Sequence, residues 1–165
     1  MSEGVRAGQF PFVENPATVL LVPVHLGPTT TWWSHDGILV GGLEINTIES
    51  IPEGQHHSAK VGYLPTPIPR SWAEKELRLV IEYESKEETT DFQFKLYYGC
   101  GDPSELRLAQ SNFKKGMTGS KKRARFPLNE EYIKRNELFR ATVEVVRRTP
   151  DPIWIYGVWL EVGVE

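Results

Sequence analysis

The chain has 165 residues, of which 39% are hydrophobic and 25% are charged, and its formal net charge at pH 7 is −3. This length and composition suit one folded domain and exclude an intrinsically disordered chain. The small acidic net charge excludes a general attraction to nucleic acid or acidic membranes, so any such attraction requires a local basic patch. The single cysteine, Cys100, excludes an intrachain disulfide, and no histidine nearby in the sequence could activate it as a nucleophile.

The N-terminal residues 1–16 are expected to form an arm. They combine glycine and proline with Phe10 and Phe12, which is typical of a segment that docks on its own domain or on a neighbouring subunit. A single domain is expected over residues 17–165. The apolar run from Ala17 to Val24 is too short to cross a bilayer and does not have the form of a signal peptide. We therefore expect a soluble chain without a membrane span.

A two-residue period dominates the rest of the chain. In "DFQFKLYYG", for example, Phe92, Phe94 and Leu96 alternate with polar residues, which is typical of antiparallel strands buried on one face. Segments rich in glycine and proline separate these runs and predict turns. Only "LNEEYIKRN" suggests helix, as one or two turns capped by Asn129. The pattern predicts an all-β chain, an antiparallel β-sandwich or single jelly roll with at most one short helix. We expect eight to ten strands, near residues 17–25, 37–48, 57–63, 76–84, 91–98, 105–111, 121–126, 138–148 and 153–163.

The segment "DPIWIYGVWLEV" near the C-terminus is apolar on both faces of a strand. Strict alternation places Trp154 and Val158 on one face, and Ile155, Gly157 and Trp159 on the other. A strand of this kind is predicted to lie in the middle of a sheet, because at an edge it would promote aggregation. The large ring of Trp159 is expected to lie over Gly157. The predicted core includes Leu79, Ile81, Phe94, Leu96, Val143, Val145, Trp154 and Val158.

The sequence contains no pattern that indicates catalysis. The four histidines, at positions 25, 35, 56 and 57, lack the spacing of metal ligands, and the neighbours His56 and His57 would point to opposite faces of a strand. Nucleophile elbows, phosphate-binding loops and dinucleotide-binding glycine motifs are also missing. We therefore predict no enzyme, and no catalytic, cofactor-binding or metal-binding residue.

The most distinctive polar segment is "NFKKGMTGSKKRARF", which has no acidic residue between Ser111 and Leu128. It predicts a positive patch for phosphates or an acidic neighbouring subunit. An edge hairpin that uses its lysines to prevent strand pairing is an equally good interpretation. The candidate residues are Lys114, Lys115, Lys121, Lys122, Arg123 and Arg125, of which Lys121, Arg123 and Arg125 would share one strand face.

The adjacent residues Trp32 and Trp33 are candidates for an aromatic contact. Neighbours in a strand face opposite sides, so one of them is expected on the surface if the outer face is exposed. An exposed tryptophan suits a sugar-stacking platform or a subunit contact.

Residues 61–162 resemble the single jelly-roll structural proteins of bacteriophage virions. The resemblance lies in the order of the proline-rich "LPTPIPRSW", the strands "LRLVIEYES" and "DFQFKLYYG", the segment "FPLNEEYIKRNELFRATVEVVRR" and the closing strand "IYGVWLEV". It implies a capsid, decoration, spike or tail-associated protein that is assembled in the host cytoplasm. Its partners would be further copies of itself and other virion proteins, and the basic segment would face an acidic neighbour or packaged nucleic acid.

Two alternatives from other classes remain open. The first is a carbohydrate-binding module that uses Trp32, Trp33 or Tyr97 as its stacking platform. The second is a metalloenzyme of cupin type, which has the same topology but requires a set of histidine and glutamate ligands that this sequence does not offer.

Overall fold

The protein is a sandwich of two antiparallel β-sheets. The computed structural model describes residues 17–35, 38–85, 90–100, 106–110, 114–115, 121–134 and 136–162, so the predicted arm over residues 1–16 lies outside the described residues. These residues form twelve strands and two single 3₁₀ turns, Arg70–Trp72 and Glu130–Tyr132. The predicted antiparallel β-sandwich with almost no helix is therefore confirmed. The strands are β1 (Thr18–Leu20), β2 (Pro23–Leu26), β3 (Thr30–His35), β4 (Ile38–Ile45), β5 (His57–Tyr63), β6 (Leu77–Ser85), β7 (Asp91–Cys100), β8 (Arg107–Gln110), β9 (Lys114–Lys115), β10 (Lys122–Pro127), β11 (Phe139–Arg147) and β12 (Ile153–Val162).

Each sheet contains six strands. Sheet A has the order β10-β6-β12-β4-β3, with β1 also paired to β12, and sheet B has the order β2-β5-β11-β7-β8, with β9 also paired to β7. The strand predicted over residues 17–25 is divided between the sheets, because the chain crosses from β1 to β2. At the crossing Leu21 is buried, and its N–H donates to the carbonyl of Val158 at 2.9 Å. Strand β3 was not predicted from the sequence, because "TTTWWSHDG" suggested a turn.

The core lies between the inner faces of the sheets and consists of aliphatic and aromatic side chains. Seven of the eight predicted core residues are fully buried, with Trp154 as the exception. Tyr83 contacts Phe92 and Phe94 edge to face, with ring centroids 5.5 and 5.0 Å apart. This geometry is the one that aromatic pairs prefer, and it adds to the free energy gained from burial of the rings.

Strand β12 is a central strand of sheet A, as predicted, but its faces differ from the prediction. A bulge lies between Ile155 and Gly157 in the pairing with β6. Ile155 is buried before the bulge and Val158 is buried after it, so two residues instead of one separate these inward positions. An extra residue reverses the inward and outward alternation of a strand. The prediction that Trp154 lies in the core was therefore wrong, since this side chain is on the outer face and only partly buried.

The second edge of β12 has two different neighbours. It pairs with β4 at Ile153–Ile155 and with β1 at Trp159–Glu161. Near the end of the pairing between β12 and β4, Gly42 of β4 lies very close to β12. A Cβ atom added to Gly42 would be 1.9 Å from the carbonyl oxygen of Ile155. Only a residue without a side chain can occupy this position.

A buried arginine joins three segments at one end of the sandwich. The guanidinium of Arg147, which is fully buried, donates to the carbonyl oxygens of Asn46 at 2.7 Å and Asp151 at 2.9 Å. Its second terminal nitrogen lies 3.0 Å from Nδ1 of His57. Burial lowers the pKa of Arg147 to about 10, although the charge of Asp151 opposes this shift. The arginine is still protonated at neutral pH and acts as an internal cation held mainly by peptide carbonyls.

Replacement of Gly42 by alanine should destabilise the fold by about 3 kcal/mol, because the new methyl group forces β4 away from β12. Gly157→Ala is the matched control on the facing strand, since its Cβ would meet its nearest atom, in the Trp159 ring, at an ordinary 3.5 Å. Equilibrium unfolding in guanidinium chloride measures both differences. Equal stability of the two variants would contradict the close approach of β4 and β12.

Acidification should destabilise the protein through His57. Burial lowers the pKa of His57 below 6.5, and the charge of Arg147 lowers it further. Between the folded-state pKa and 6.5 the unfolded chain binds more protons, so stability falls as the pH drops through this window. His57→Asn, which retains an acceptor but does not titrate, should remove this part of the pH dependence. Unfolding midpoints measured from about pH 7.5 down to about pH 5 provide the test; identical slopes for both proteins would count against it.

Candidate functional site

The outer face of sheet A carries three aromatic side chains on a single strand. Trp154, Tyr156 and Trp159 all project from β12 on this face, and each is partly buried. We call these three residues the aromatic platform. At about 3.3 Å per residue the platform extends over roughly 15 Å along the strand. Trp159 lies over Gly157, as the sequence predicted, with ring atoms 3.5 and 3.6 Å from the position of an added Cβ.

Carboxylates hold each ring of the aromatic platform in one orientation. The indole N–H or phenolic O–H of every member donates to a glutamate on the same face of the sheet. Rotation of a ring would break its hydrogen bond to the glutamate, and the donor would then need water as a partner. The bonds therefore keep the rings in place before any ligand binds. The pairs are Trp154 with Glu44 at 2.9 Å, Tyr156 with Glu84 at 2.7 Å, and Trp159 with Glu161 at 3.0 Å.

Two cations in or directly before the edge strand β10 lie over two of these rings. The Lys121 Nζ is 4.2 Å from the centroid of the Tyr156 ring, and the Arg123 guanidinium carbon is 5.1 Å from that of Trp159. Both distances are within the range of a cation–π interaction. Arg123 also forms an ion pair with Glu82, with Nε and Oε2 3.1 Å apart. The surface therefore presents aromatic rings surrounded by charges of both signs.

The protonation states at this face follow from the local hydrogen bonds. Burial raises the pKa of Tyr156, and the hydrogen bond to Glu84 raises it further, so the phenol remains a donor at neutral pH. Burial would also raise the pKa of Glu161, but hydrogen bonds from Trp159 and Arg78 outweigh this effect and hold the pKa below its ordinary value. Glu161 is therefore a carboxylate at neutral pH.

The predicted basic residues are divided between the two sheets. Lys114 and Lys115 form β9, which pairs with β7 of sheet B. The other four lie in or directly before β10, at the edge of sheet A. Of these, Lys121, Arg123 and Arg125 are exposed, whereas Lys122 is half-buried. A role of this group in binding an anionic partner stays a prediction.

Two of the predicted aromatic contacts, Trp32 and Tyr97, lie on different sheets. Trp32 is 63% exposed and lines a pocket beside β12, whereas the side chain of Trp33 is outside the described part of the structure. Tyr97 belongs to sheet B, where its hydroxyl donates to Glu144 at 2.8 Å. Sequence reasoning missed the aromatic platform because it assigned Trp154 to the core. A signal existed in the alternating glutamates of "VIEYES", which place Glu82 and Glu84 on the face that the platform shares.

Within the described ranges, no group of three or more histidine, cysteine or acidic side chains is arranged to hold a metal ion. His57 instead contacts Arg147, as described above. No helix among the same residues is long and apolar enough to cross a membrane.

No protein-family model and no curated protein matches this chain. Among solved structures, the N-terminal endo-1,4-β-D-xylanase 10B of Clostridium thermocellum, as CBM22-1–GH10 modules with xylohexaose, is similar over 90% of the chain, at 12% identity and a TM-score of 0.46. The chain spans about a quarter of that structure, 26% of its length. A mannan-recognising carbohydrate-binding module, TmCBM27, is similar over 89% of this chain and 86% of its own, at 13% identity and a TM-score of 0.46. The xylan-binding module CBM15 is similar over 88% and 98%, at 10% identity and a TM-score of 0.42.

The resemblance to bacteriophage virion proteins is corrected by these findings. The similar solved structures named above are carbohydrate-binding modules or contain one, and none of them is a capsid, decoration, spike or tail protein. The predicted virion function and the location in a virion were therefore wrong. Nothing supports virion proteins as partners, and self-association stays a prediction. The sequence pattern that suggested them, short alternating strands separated by proline-rich turns, is shared by β-sandwiches of many functions.

Proposed function

We propose that residues 17–165 form a non-catalytic carbohydrate-binding module, and that the aromatic platform binds a chain of neutral sugar residues. The observation that carries this proposal is the row of Trp154, Tyr156 and Trp159, each held by a carboxylate on the outer face of sheet A. The aromatic platform replaces Trp32 and Trp33 as the proposed stacking surface.

The aromatic platform suits the apolar side of a sugar ring. Tryptophan and tyrosine offer a large flat contact at a low cost in side-chain entropy. A sugar ring reaches the faces of Tyr156 and Trp159 by displacing the exposed side chains of Lys121 and Arg123 that lie over them. Their hydrogen bonds to glutamates fix the rings in advance, which lowers the entropy lost when a ligand binds. The length of roughly 15 Å accommodates a chain of several sugar rings that lies along β12.

The charged groups around the aromatic platform suit hydroxyl groups. Carboxylates such as Glu82 and Glu84 accept hydrogen bonds, and Lys121 and Arg123 donate them, so a hydroxyl can be satisfied in either role. Because Arg123 is already paired with Glu82 at 3.1 Å, the face offers little net charge to an anionic ligand. A neutral polyhydroxylated ligand fits this arrangement better than a nucleic acid does.

Tyr156→Ala and Trp159→Ala should each weaken binding of a sugar chain by about thirtyfold, the equivalent of about 2 kcal/mol for a central aromatic contact. Isothermal titration calorimetry with cellohexaose, xylohexaose and mannohexaose measures this effect. At least one of the three is expected to bind the unmodified protein.

Tyr97→Ala is the matched control for this experiment. Tyr97 and Tyr156 each donate to a glutamate, at 2.8 and 2.7 Å, but they lie on opposite sheets. The control should bind as tightly as the unmodified protein. If Tyr97→Ala abolished binding while Tyr156→Ala had no effect, the site would be on sheet B and the proposal would fail.

The affinity for a sugar chain should change little when sodium chloride is raised from about 0.05 M to about 0.5 M, because a neutral ligand forms no long-range ion pairs that salt can screen. The same titrations with a single-stranded oligonucleotide test the anionic alternative. Tight binding of the oligonucleotide that weakens steeply with salt, together with no binding of any sugar chain, would favour a nucleic-acid partner for Lys121, Arg123 and Arg125.

A further inference from the structure

An apolar pocket opens beside β12 where its neighbour changes from β4 to β1. Its volume is about 210 Å³. Leu20 and Val22 line it from one side and Trp32 from another, while Gly42 and Gly157 contribute no side chains. A pocket of this size and lining accepts one apolar or aromatic side chain, and we call it the apolar pocket.

The rim of the apolar pocket exposes large hydrophobic side chains. Leu20 is 66% exposed, Val22 is 49% exposed and Trp32 is 63% exposed. Leu64 extends the same patch, because its N–H donates to the carbonyl of Val22 at 2.8 Å and its side chain is 51% exposed. Single exposed hydrophobic residues are common, but a group of this kind around a pocket indicates a surface that another segment covers.

The chain carries a suitable segment next to the apolar pocket. Residues 1–16 directly precede β1, whose last residue Leu20 lines the pocket. Phe12 precedes Ala17, which lies directly before β1, by five residues that can span up to about 17–18 Å when extended. This exceeds the roughly 10 Å from Ala17 to Leu20 along β1, so the segment can fold back to the pocket. Phe10 and Phe12 are its two aromatic residues. A tether this short raises the effective concentration of these rings at the pocket to the millimolar range.

We propose that the N-terminal segment covers the apolar pocket of its own chain, with Phe10 or Phe12 inserted between Leu20 and Trp32. The segment then shields the exposed side chains of Leu20, Val22 and Trp32 from water. Since Tyr156 also lines the pocket, the covered surface adjoins the aromatic platform. This inference does not depend on the proposed glycan binding.

Disulfide trapping in the full chain tests the proposal. Val13→Cys is combined with Leu64→Cys, which leaves both phenylalanines and the pocket residues intact. The native Cys100 is buried and is retained in all variants. The control combines Val13→Cys with Leu108→Cys, a 42% exposed position on sheet B. The disulfide to position 64 should form within one chain at least about tenfold faster than the disulfide to position 108.

A further variant decides whether the phenylalanines cause this proximity. Addition of Phe10→Ser and Phe12→Ser to the 13–64 pair should slow trapping to the rate of the control, while Val5→Ser should leave it unchanged. The Phe10→Ser and Phe12→Ser changes should also increase the fluorescence of an apolar dye, with an unaltered far-ultraviolet circular dichroism spectrum. Equal trapping rates at positions 64 and 108, or a rate independent of the phenylalanines, would overturn the proposal. Trapping between two chains would instead assign the pocket to a second copy and thereby overturn it as well.

Discussion

A β-strand has two edges, and β12 uses one of them for β6 over its whole length while it divides the other between β4 and β1. The ladder with β6 contains a bulge between Ile155 and Gly157, at the level where the opposite edge passes from β4 to β1. The bulge allows β12 to bury Ile155 before the change and Val158 after it, so the core remains continuous across the bulge.

The candidate site and the apolar pocket both lie where β12 carries its bulge and changes its neighbour. The bulge turns Trp154 and Tyr156 outward together with Trp159, and the neighbouring strands β4 and β6 then supply the glutamates that hold the first two rings. The pocket lies where β4 leaves β12, and Gly42 permits the close contact of these strands just before they separate. The aromatic platform and the apolar pocket therefore adjoin each other, and they share Tyr156.

The buried Arg147 fixes the ends of the strands on which the aromatic platform depends. One of its bonds goes to Asn46, directly after β4, and another to Asp151, shortly before β12. Glu44 and Trp154, which form the first pair of the platform, lie close to these ends. Burial of a charge is unfavourable unless its donors are satisfied, and a terminal nitrogen of Arg147 meets this need by holding both carbonyl groups, although its buried Nε has no partner in the described part of the structure. The interior of sheet B thus helps to position groups on the outer face of sheet A.

The sequence alone determined the class of fold, because alternation with period two and turns rich in glycine and proline are local properties. It also determined that β12 is a central strand and that Trp159 lies over Gly157, since both conclusions follow from a few neighbouring residues. Which residues of β12 face the core could not be predicted in this way. A bulge depends on how the strand pairs with β6 and with two other neighbours that are distant in the chain, and one added residue moved Trp154 from the predicted core to the surface.

The residues of the candidate site were likewise decided only by the tertiary structure. Glu44 and Trp154 are 110 positions apart, and Glu84 and Tyr156 are 72 apart, so no local pattern could pair them. The six basic residues are close in sequence, yet Lys114 and Lys115 belong to sheet B while the others lie at the edge of sheet A. Hydrophobic alternation determines which side chains avoid water, but it does not specify the partner strand, and it is the partner strands that assemble a surface site.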